Sequence, residues 1–425
     1  MKNLVADGAT SPGTQPMPSN GTFWDKMSRR AWRLDAQELC AQARKRTGLQ
    51  DFGEPSIEPA LTILTKSLED EANLHPLGRL FMRIHLKDIL DARLRMAKQF
   101  KLQADALADQ PIRSPIFITG MPRSGSTFLH ELLVQDSALR APRVWEVMSP
   151  ASAAQPDKGW RDLRVWQTAW DLWWFRRLAP QMDTVYPMRA RTPQECIVMH
   201  SYTFLSEEFL CTCRLPAYHA FLRSSDLSPA YAWEKRFLQF LQSSRPGARW
   251  ILKSPDHVRS LEALFAVFPD ALIVQTHRSP LDTLRSAIHL TEVLHRFYTR
   301  PPSREWIAET EAKSLAGRME RLIRFRDQHP ELANRFVDVN YSDLVADPLN
   351  VVRRIYRQFK MPLSDGAIER MSRLAEGRSA YKGRRSAPTL GEVGLNPSAQ
   401  VKMFSEYCRR FGLPSGSAGA TSRPG

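Results

Sequence analysis

The segment 120–127, GMPRSGST, has the residue types and spacing of a loop that binds a phosphate or a sulfate. Gly120 and Gly125 punctuate a turn, and Arg123 places a positive charge inside it. The apolar residues directly before the loop predict a buried strand, and those directly after it predict a helix. This arrangement directs backbone N–H groups and a helix N-terminus at an anion. The residues expected to bind that anion are Gly120, Arg123, Ser124, Gly125, Ser126 and Thr127.

The loop differs from a nucleoside-triphosphate loop at one informative position. The spacing of its glycines matches G-x-x-x-x-G-K-[ST], but Ser126 stands where the triphosphate loop has a lysine that reaches the β- and γ-phosphates. The positive charge lies earlier, at Arg123. We therefore expect a shorter anionic group than a triphosphate, with the guanidinium directed at a bridging oxygen.

Two further cations follow short apolar runs that predict strands. Lys253 comes directly after Trp250–Leu252, and Arg278 comes shortly after a run that ends at Gln275. Strands that alternate with helices at these lengths predict parallel βαβ units, whose ligands bind at the carboxyl ends of the strands. Ser286 lies two turns into the helix predicted after Arg278, so a guanidinium and a hydroxyl are available to hold one phosphate between them.

These motifs resemble the sulfotransferase superfamily, whose members take a sulfuryl group from 3′-phosphoadenosine 5′-phosphosulfate (PAPS). The form Met-Pro-Arg-Ser-Gly-Ser-Thr is similar to the tyrosylprotein-type and bacterial branches, in which Arg replaces the Lys of cytosolic members. The resemblance implies that Arg278 and Ser286 bind the 3′-phosphate, and that Arg123 and Lys253 are catalytic cations. Fixed cations would neutralise the charge that grows on the leaving phosphate, so no metal is expected.

The resemblance also implies a general base, because the acceptor must lose a proton. Glu146 is our first choice, since it occupies in PRVWEV the position where tyrosylprotein-type and some bacterial sulfotransferases have a glutamate. His257 is the alternative. Cytosolic members place a catalytic histidine two residues after the lysine, whereas His257 lies four residues after Lys253.

Two later segments are similar to the nucleotide-binding part of the family. Tyr341 follows a predicted strand, 335–340, and is expected on the adenine and 3′-phosphate side. Lys382, Gly383 and Arg384 resemble the C-terminal segment that closes on the 3′-phosphate. A solvated basic loop is the other interpretation of these three residues.

The elements that would position these residues belong to an α/β protein. We predict a P-loop-like doubly wound parallel sheet flanked by helices, with an N-terminal helical extension and a helical insertion. The predicted organisation is a disordered N-terminus (1–22), an N-terminal helical region (23–110), a sulfotransferase domain (111–413) and a disordered tail (414–425). The helical insertion falls at about 150–245.

The insertion is rich in tryptophan. Trp166, Trp170, Trp173 and Trp174 fall at i, i+4, i+7 and i+8, which places them on one stripe of a helix. Burial in the core is the first interpretation of this stripe, and the wall of a hydrophobic acceptor pocket is the second. Residues 187–245 predict a further helical segment, whose start we place at 192–195.

The composition of the 425 residues is that of a globular protein with an excess of positive charge. The net charge of +15 suits an anionic donor, and we find no motif for nucleic-acid binding. No apolar run reaches the roughly 18 residues of a membrane helix, although peripheral contact with a membrane remains open. Five cysteines without a framework pattern indicate reduced thiols and a cytoplasmic protein.

The sequence therefore predicts a sulfotransferase that moves a sulfuryl group from PAPS to an acceptor hydroxyl without a metal. The acceptor would be a small molecule, a lipid or a glycan, and the oligomeric state is open. One alternative is a P-loop-type small-molecule kinase, which would respond to ATP with Mg²⁺. The other is a catalytically inactive nucleotide-binding protein, which would bind adenosine 3′,5′-bisphosphate without transfer to any acceptor.

Overall fold

The centre of the molecule is a sheet of parallel strands. The computed structural model describes residues 22–150, 162–181, 188–244, 247–379 and 388–414. Within these ranges the strands are β1 (Ile116–Gly120), β2 (Leu139–Arg140), β3 (Arg249–Lys253), β4 (Leu272–His277) and β5 (Phe336–Asn340). Their order across the sheet is β2-β3-β1-β4-β5, and each neighbouring pair is parallel.

The strand order changes direction at β1, which has β3 on one side and β4 on the other. The predicted doubly wound α/β fold is thereby confirmed. Ligands of such sheets bind at the carboxyl ends of the strands that flank this reversal. The loop 120–127 leaves β1 at this edge, Lys253 is the last residue of β3, and Arg278 follows β4.

Helices surround the sheet and also precede it. The helices before β1 are α1 (Phe23–Ala31), α2 (Ala36–Thr47), α3 (Glu58–Asp70), α4 (Pro76–Leu102) and α5 (Ala104–Ala108). Between β1 and β3 lie α6 (Ser126–Leu133), α7 (Val144–Met148), α8 (Leu163–Leu178), α9 (Cys196–Ser201), α10 (Glu208–Thr212), α11 (Pro216–Ser224) and α12 (Ser228–Ser244). The later helices are α13 (Leu261–Val267), α14 (Pro280–Tyr298), α15 (Arg304–Gln328), α16 (Tyr341–Ala346), α17 (Pro348–Gln358), α18 (Asp365–Ser379), α19 (Pro397–Met403) and α20 (Ser405–Phe411).

Both faces of the sheet are buried, because successive side chains of a strand point to opposite sides. In β1, Ile116 and Ile118 pack on one face with apolar residues of α6 and α17. Phe117 packs on the other face, in a larger core that reaches from Leu39 in α2 to Tyr407 in α20. The N-terminal helices thus share a core with the helices behind the sheet, and the domain boundaries given above stay predictions.

The described part of the segment predicted to be helical at 187–245 contains four helices, but the first of them starts later than expected. The first helix, α9, begins at Cys196, and Glu195 is its N-cap residue. Pro193 therefore lies outside the helix instead of at its first position. This displacement leaves the Glu195 side chain at the edge of the cleft described below.

The tryptophan stripe lies on α8, as its spacing predicts, but the interpretation of the stripe as core is wrong. All four side chains are exposed. The opposite side of the helix carries its buried residues, which include Val165, Thr168 and Leu172. Among the described residues, no helix combines the length and the apolar character needed to cross a membrane.

Candidate active site

The carboxyl edge of the sheet opens into a cleft of about 3300 Å³. Predicted residues from separate parts of the chain meet there: Arg123, Lys253, Arg278, Ser286 and Tyr341 all line the cleft, as do Gly125, Ser126 and Thr127 of the loop. The fold therefore brings together most of the cofactor-binding residues expected from the sequence. Lys382, Gly383 and Arg384 fall outside the described residues.

The two glycines of the loop are needed for close approach. Gly120 has φ +140°, and a Cβ there would overlap the backbone carbonyl of Thr276 in the neighbouring strand β4. Gly125 is the N-cap of α6 with φ +88°, and a Cβ there would lie 2.9 Å from Cδ2 of Tyr341. A side chain at either position would push apart elements that form the cleft, and φ values in this region favour glycine.

Ser124 anchors the loop to the sheet. Its side chain is fully buried, and its Oγ lies 2.6 Å from Oγ1 of Thr276. The Thr276 hydroxyl in turn donates to the backbone oxygen of Thr119 in β1, at 3.1 Å. The Ser124 hydroxyl is thus occupied within the protein. Its backbone N–H, with those of the next three residues, is the part available to an anion.

Arg123 is exposed and lies in a left-handed conformation with φ +65°. A residue other than glycine pays roughly 1–2 kcal/mol for this backbone geometry. Arg278 stabilises it, because its Nη1 donates to the backbone oxygen of Arg123 at 2.9 Å. The Arg123 side chain reaches Ser286, whose Oγ accepts a hydrogen bond from Nε at 3.0 Å.

Arg278 is also stacked on an aromatic ring. Its guanidinium carbon lies 4.4 Å from the centroid of Tyr341, the first residue of α16. Tyr341 in turn contacts Gly125, so the aromatic ring is packed between the loop and the guanidinium. Stacking fixes the plane of the guanidinium and leaves its edge for hydrogen bonds, which suits recognition of a phosphate.

Lys253 lies at the floor of the cleft with 3% of its surface exposed. Its Nζ donates to Oγ1 of Thr127 at 3.2 Å, which places the ammonium group directly beside the loop. It also forms an ion pair with Glu195, whose side chain is 14% exposed and lines the same cleft. Because the ammonium is almost completely removed from water, this carboxylate is its main electrostatic partner.

Glu195 is the residue of this site that sequence reasoning missed. Its partner Lys253 lies 58 positions away in sequence, and nothing in the local pattern connects the two. The helix-start pattern at 192–195 was the only signal, and it pointed to a structural role for this residue. The structure shows instead that the N-cap position of α9 holds a carboxylate against the lysine.

Glu146 is placed away from the cleft. It is the third residue of α7 and is buried, and Oε1 accepts a hydrogen bond from Nη2 of Arg140 at 2.9 Å. Its other oxygen, Oε2, accepts from the backbone N–H of Arg143 at 2.8 Å. One carboxylate oxygen thus caps the start of α7 and the other pairs with Arg140 of β2, so both are engaged within the protein. Glu146 is not among the residues that line the cleft.

His257 also faces away from the cleft. It lies in a 3₁₀ turn, Pro255–Arg259, and this turn directs its ring to a second cavity of about 210 Å³. There Nδ1 lies 2.8 Å from the hydroxyl of Tyr231. Burial lowers the pKa of His257 to about 4, so the imidazole is neutral near neutral pH. The predicted candidates for the base are thus not brought next to the loop, whereas Glu195 is.

Part of the cleft wall is apolar. Phe297 of α14 is the centre of an aromatic cluster, with its ring centroid 5.1 Å from that of Phe81 and 5.2 Å from that of Phe175. The cluster is continued by further apolar side chains that line the cleft: Ile84, Met148, Leu172, Leu290 and Leu294. We call this cluster the apolar end of the cleft, and the cations of the loop and strands its cationic end. Charged side chains line the same cleft as well, among them Asp88, Glu208 and Arg321.

Comparison with known proteins identifies this architecture. Residues 115–365 match the model of the Sulfotransferase family. A relative from Mycobacterium bovis (strain ATCC BAA-935 / AF2122/97), omega-hydroxy-beta-dihydromenaquinone-9 sulfotransferase Stf3, is 26% identical over 281 residues, which are 63% of this chain and 68% of the relative. The protein of the same name from Mycobacterium tuberculosis (strain CDC 1551 / Oshkosh) matches equally.

Solved structures agree with the sequence relatives. Sulfotransferase STF1 from Mycobacterium tuberculosis H37Rv superimposes with a TM-score of 0.73 at 30% identity, over 88% of this chain and 100% of that one. Sulfotransferase STF9 from Mycobacterium avium gives a TM-score of 0.78 at 26% identity, over 90% of this chain and 98% of that one. The matched segment contains the loop, Lys253, Arg278 and Ser286, and the chain belongs to the sulfotransferase family.

Proposed function

We propose that this sulfotransferase moves the sulfuryl group of PAPS to the hydroxyl of an apolar acceptor. The observation that carries the proposal is the meeting of Arg123, Lys253 and Arg278 at one end of a cleft whose other end is apolar. A donor with two separate anionic groups suits the first end, and an acceptor with a long hydrocarbon portion suits the second. PAPS would supply an activated sulfuryl group and a phosphate leaving group.

The residues present fit such a donor. Arg278 and Ser286, which line the same cleft, would hold the 3′-phosphate between a guanidinium and a hydroxyl. Thr127, Ser126 and the backbone N–H groups of 124–127 would hold the 5′-phosphate at the start of α6, where Gly125 allows Tyr341 to pack against the loop. Tyr341 orients Arg278 by stacking. Lys382, Gly383 and Arg384 remain the segment that we expect to close on the 3′-phosphate.

Arg123 and Lys253 would act on the bond that breaks. As the bond between sulfur and the bridging oxygen lengthens, negative charge grows on that oxygen. A fixed cation directed at this charge contributes about 2.7–4 kcal/mol, by analogy with a single oxyanion-hole donor. Lys253 is almost wholly shielded from water, which strengthens its interaction with the developing charge. No metal enters this scheme, because the two side chains supply the neutralising charge.

Glu195 is our candidate for the general base. The acceptor oxygen forms a bond to sulfur, the sulfur–bridging oxygen bond breaks, and the hydroxyl proton passes to the Glu195 carboxylate. The products are a sulfate ester and adenosine 3′,5′-bisphosphate. The contact between Glu195 and Lys253 supports this role, since it places the carboxylate beside a cation at the reacting end of the cleft. Glu146 and His257 stay alternatives, and substitution of each of the three residues separates them.

The apolar end of the cleft supports a lipid as the acceptor class. Phe81, Phe175 and Phe297 offer stacked and edge-on ring surfaces that a hydrocarbon chain can cover. The name of the relative Stf3 states that it sulfates a hydroxylated menaquinone, which is such a lipid. We infer an apolar alcohol of this general kind for the present chain, in preference to a glycan.

The cysteines support a cytoplasmic location. All five are free thiols in the structure: Cys40, Cys196, Cys211, Cys213 and Cys408. Free thiols without disulfides are typical of proteins in a reducing compartment. We therefore propose that donor and enzyme meet in the cytoplasm.

Thermal-shift titration with adenosine 3′,5′-bisphosphate tests the donor site. We expect a large stabilisation of the wild type, and a dissociation constant raised about 100-fold in Arg278→Ala, because a charge-assisted interaction with phosphate contributes roughly 3 kcal/mol. Arg123→Ala should bind the bisphosphate with a smaller loss but fail in transfer. Arg373→Ala removes an exposed arginine of α18 and should leave both unchanged.

Two results would contradict the proposal. An equal stabilisation by ATP with Mg²⁺ would favour a kinase of small molecules. Binding of the bisphosphate without transfer of labelled sulfate from PAPS to any apolar alcohol would favour an inactive nucleotide-binding protein.

A further inference from the structure

The exposed face of α8 has an unusual composition. Trp166, Trp170, Trp173 and Trp174 are 62%, 59%, 36% and 48% exposed, and Leu163 and Leu178 at the two ends of the helix are 81% and 60% exposed. The rings lie against each other, with centroids 5.4 Å apart for Trp170 and Trp173, and 4.9 Å apart for Trp173 and Trp174. Large apolar side chains in one contiguous patch mark an interaction surface.

This face is turned away from the cleft. At 3.6 residues per turn, the exposed tryptophans and leucines of α8 fall within an arc of roughly 140°. The residues of α8 that line the cleft are centred roughly 130° around the helix from the middle of this arc: Arg164, Thr168, Asp171, Leu172 and Phe175. Asp171 is the nearest of them to the arc, and Gln167, which also lines the cleft, lies inside it. α8 therefore contributes Leu172 and Phe175 to the apolar end of the cleft and exposes its tryptophans at the surface.

The charges of α8 identify the kind of surface that this face would meet. Arg177 lies within the tryptophan face, and its guanidinium carbon is 4.7 Å from the ring centroid of Trp173; Arg176 precedes it. The two carboxylates at this helix lie elsewhere, since Asp162 is buried and pairs with Arg164, and Asp171 lines the cleft. Within the arc of the tryptophans, the charged residue of α8 is thus Arg177, while Asp171 lies just beyond Leu178 on one flank and Arg176 lies on the other flank.

Tryptophan and arginine together suit the surface of an anionic bilayer. Tryptophan rings prefer the level of the lipid headgroups, and arginines attract anionic lipids. A second copy of this chain would offer the same positive charge to the face and would repel it. The apolar part of the cleft lies against α8, because the ring of Phe175 on this helix contacts that of Phe297 across the cleft wall. Ile84 and Met148, which line the same cleft, are 44% and 46% exposed.

We propose that the tryptophan face of α8 docks the enzyme on an anionic membrane surface, from which a lipid acceptor enters the apolar end of the cleft. The entry of a lipid rests on the proposed function, whereas the docking does not. The helix would lie in the plane of the interface, with its tryptophans among the headgroups. The other face of the same helix would then guide the hydrocarbon part of the acceptor past Leu172 and Phe175.

Flotation with lipid vesicles tests the docking without donor or acceptor. The full-length protein is mixed with vesicles of phosphatidylcholine and phosphatidylglycerol, or of phosphatidylcholine alone. We expect strong partitioning to the mixed vesicles, and a loss of at least about tenfold when Trp170→Ala, Trp173→Ala and Trp174→Ala are combined. Arg176→Gln with Arg177→Gln should reduce binding to the mixed vesicles about tenfold, and the difference between the two vesicle types should shrink.

A matched control removes an exposed apolar side chain at a distant position. Leu102 is 69% exposed at the end of α4, roughly 30 Å along this helix from Phe81 in the cleft. Leu102→Ser should bind vesicles like the wild type. Circular dichroism and titration with adenosine 3′,5′-bisphosphate check that each variant is folded, and we expect both to be unchanged in the triple tryptophan variant.

The outcomes separate the inference from the proposed function. A wild type that fails to float with either vesicle, or a triple variant that floats as well as the wild type, would overturn the docking. Self-association through the tryptophans would also overturn the docking. It would be shown by a triple variant that is monomeric while the wild type is not. Loss of flotation in the triple variant alone supports the docking, whether or not transfer is detected. A failure of the proposed function is seen separately, as absent transfer to a short-chain alcohol in the absence of vesicles.

Discussion

Replacement of Glu195 by glutamine should abolish catalysis while the protein remains folded. A general base contributes about 100- to 10,000-fold to a proton-coupled step, so Glu195→Gln should lower kcat by that factor, which corresponds to roughly 3–5 kcal/mol of transition-state stabilisation. Glutamine has the size of glutamate and keeps an oxygen that accepts a hydrogen bond from Lys253. The affinity for adenosine 3′,5′-bisphosphate should therefore stay close to that of the wild type.

Glu195→Gln should also lower the free energy of unfolding, so its effect on kcat has to be compared with that of a control variant that is destabilised to a similar extent. Lys253 is 3% exposed, and loss of the charge on its partner weakens a charge-assisted interaction of about 1.5–3 kcal/mol. Glu146→Gln provides the control, since Glu146 is also buried and paired with a cation, Arg140. We expect comparable decreases in the free energy of unfolding for the two variants, measured with urea, but a large loss of kcat only for Glu195→Gln.

Initial rates with labelled PAPS and a long-chain alcohol provide the assay. A Glu195→Gln enzyme within about threefold of the wild-type kcat would refute the assignment, because a lost base has a far larger effect. An equal loss of kcat in Glu146→Gln would return the role to the residue that the sequence favoured. His257→Gln completes the set and should retain kcat, since its ring faces the second cavity.

Two further changes test the geometry of the site and its electrostatics. Gly125→Ala places a Cβ 2.9 Å from the Tyr341 ring at a position with φ +88°, so we expect roughly 1–2 kcal/mol of backbone strain. Titration calorimetry should show that the affinity for adenosine 3′,5′-bisphosphate falls at least about tenfold. Gly366→Ala is the control and should leave that affinity unchanged, because only the flexible end of an arginine lies nearby, at 3.4 Å. Burial lowers the pKa of His257 to about 4 from an ordinary value near 6.5, so the unfolded chain binds a proton at a higher pH than the folded protein does. The free energy of unfolding therefore decreases as the pH falls from about 6.5 to about 4, and urea unfolding should show about 2 kcal/mol less stability from this group at about pH 5. An equally steep pH dependence in His257→Gln would contradict the lowered pKa of His257.

The cationic end of the cleft could be predicted from the sequence because its signals are local. Each cation follows a strand, and the carboxyl ends of parallel strands meet at one edge whatever lies between them in the chain. The loop, Lys253 and Arg278 are therefore placed by topology alone. The glycine spacing adds a conformational requirement, which the positive φ values of Gly120 and Gly125 meet.

The remaining parts of the site depend on contacts that no local pattern encodes. The ion pair of Glu195 with Lys253 joins residues 58 positions apart, and neither neighbourhood indicates the other. The tryptophan stripe shows a different limit. Helical spacing tells which side chains share a face, but which face another element covers is decided by tertiary packing.

Glu146 illustrates why a position in a motif does not establish a role. The residue lies third in a short helix, where a carboxylate can accept the backbone N–H at the helix start. A glutamate that caps a helix and a glutamate that acts as a base would look the same at this position of the sequence. The structure shows its two oxygens engaged with Arg140 and with the backbone of Arg143.

The hydrogen bond from Arg278 to the backbone of Arg123 links the two ends of the donor site. The guanidinium proposed to bind the 3′-phosphate also stabilises the left-handed backbone of Arg123, the cation proposed to act on the leaving group. Adenosine 5′-phosphosulfate lacks the 3′-phosphate. When this nucleotide is bound, no phosphate would hold Arg278 in the position from which it donates to the backbone of Arg123. Discrimination against adenosine 5′-phosphosulfate would then appear in kcat as well as in the dissociation constant. An excess of this nucleotide would therefore be a poor competitor and a still poorer substrate.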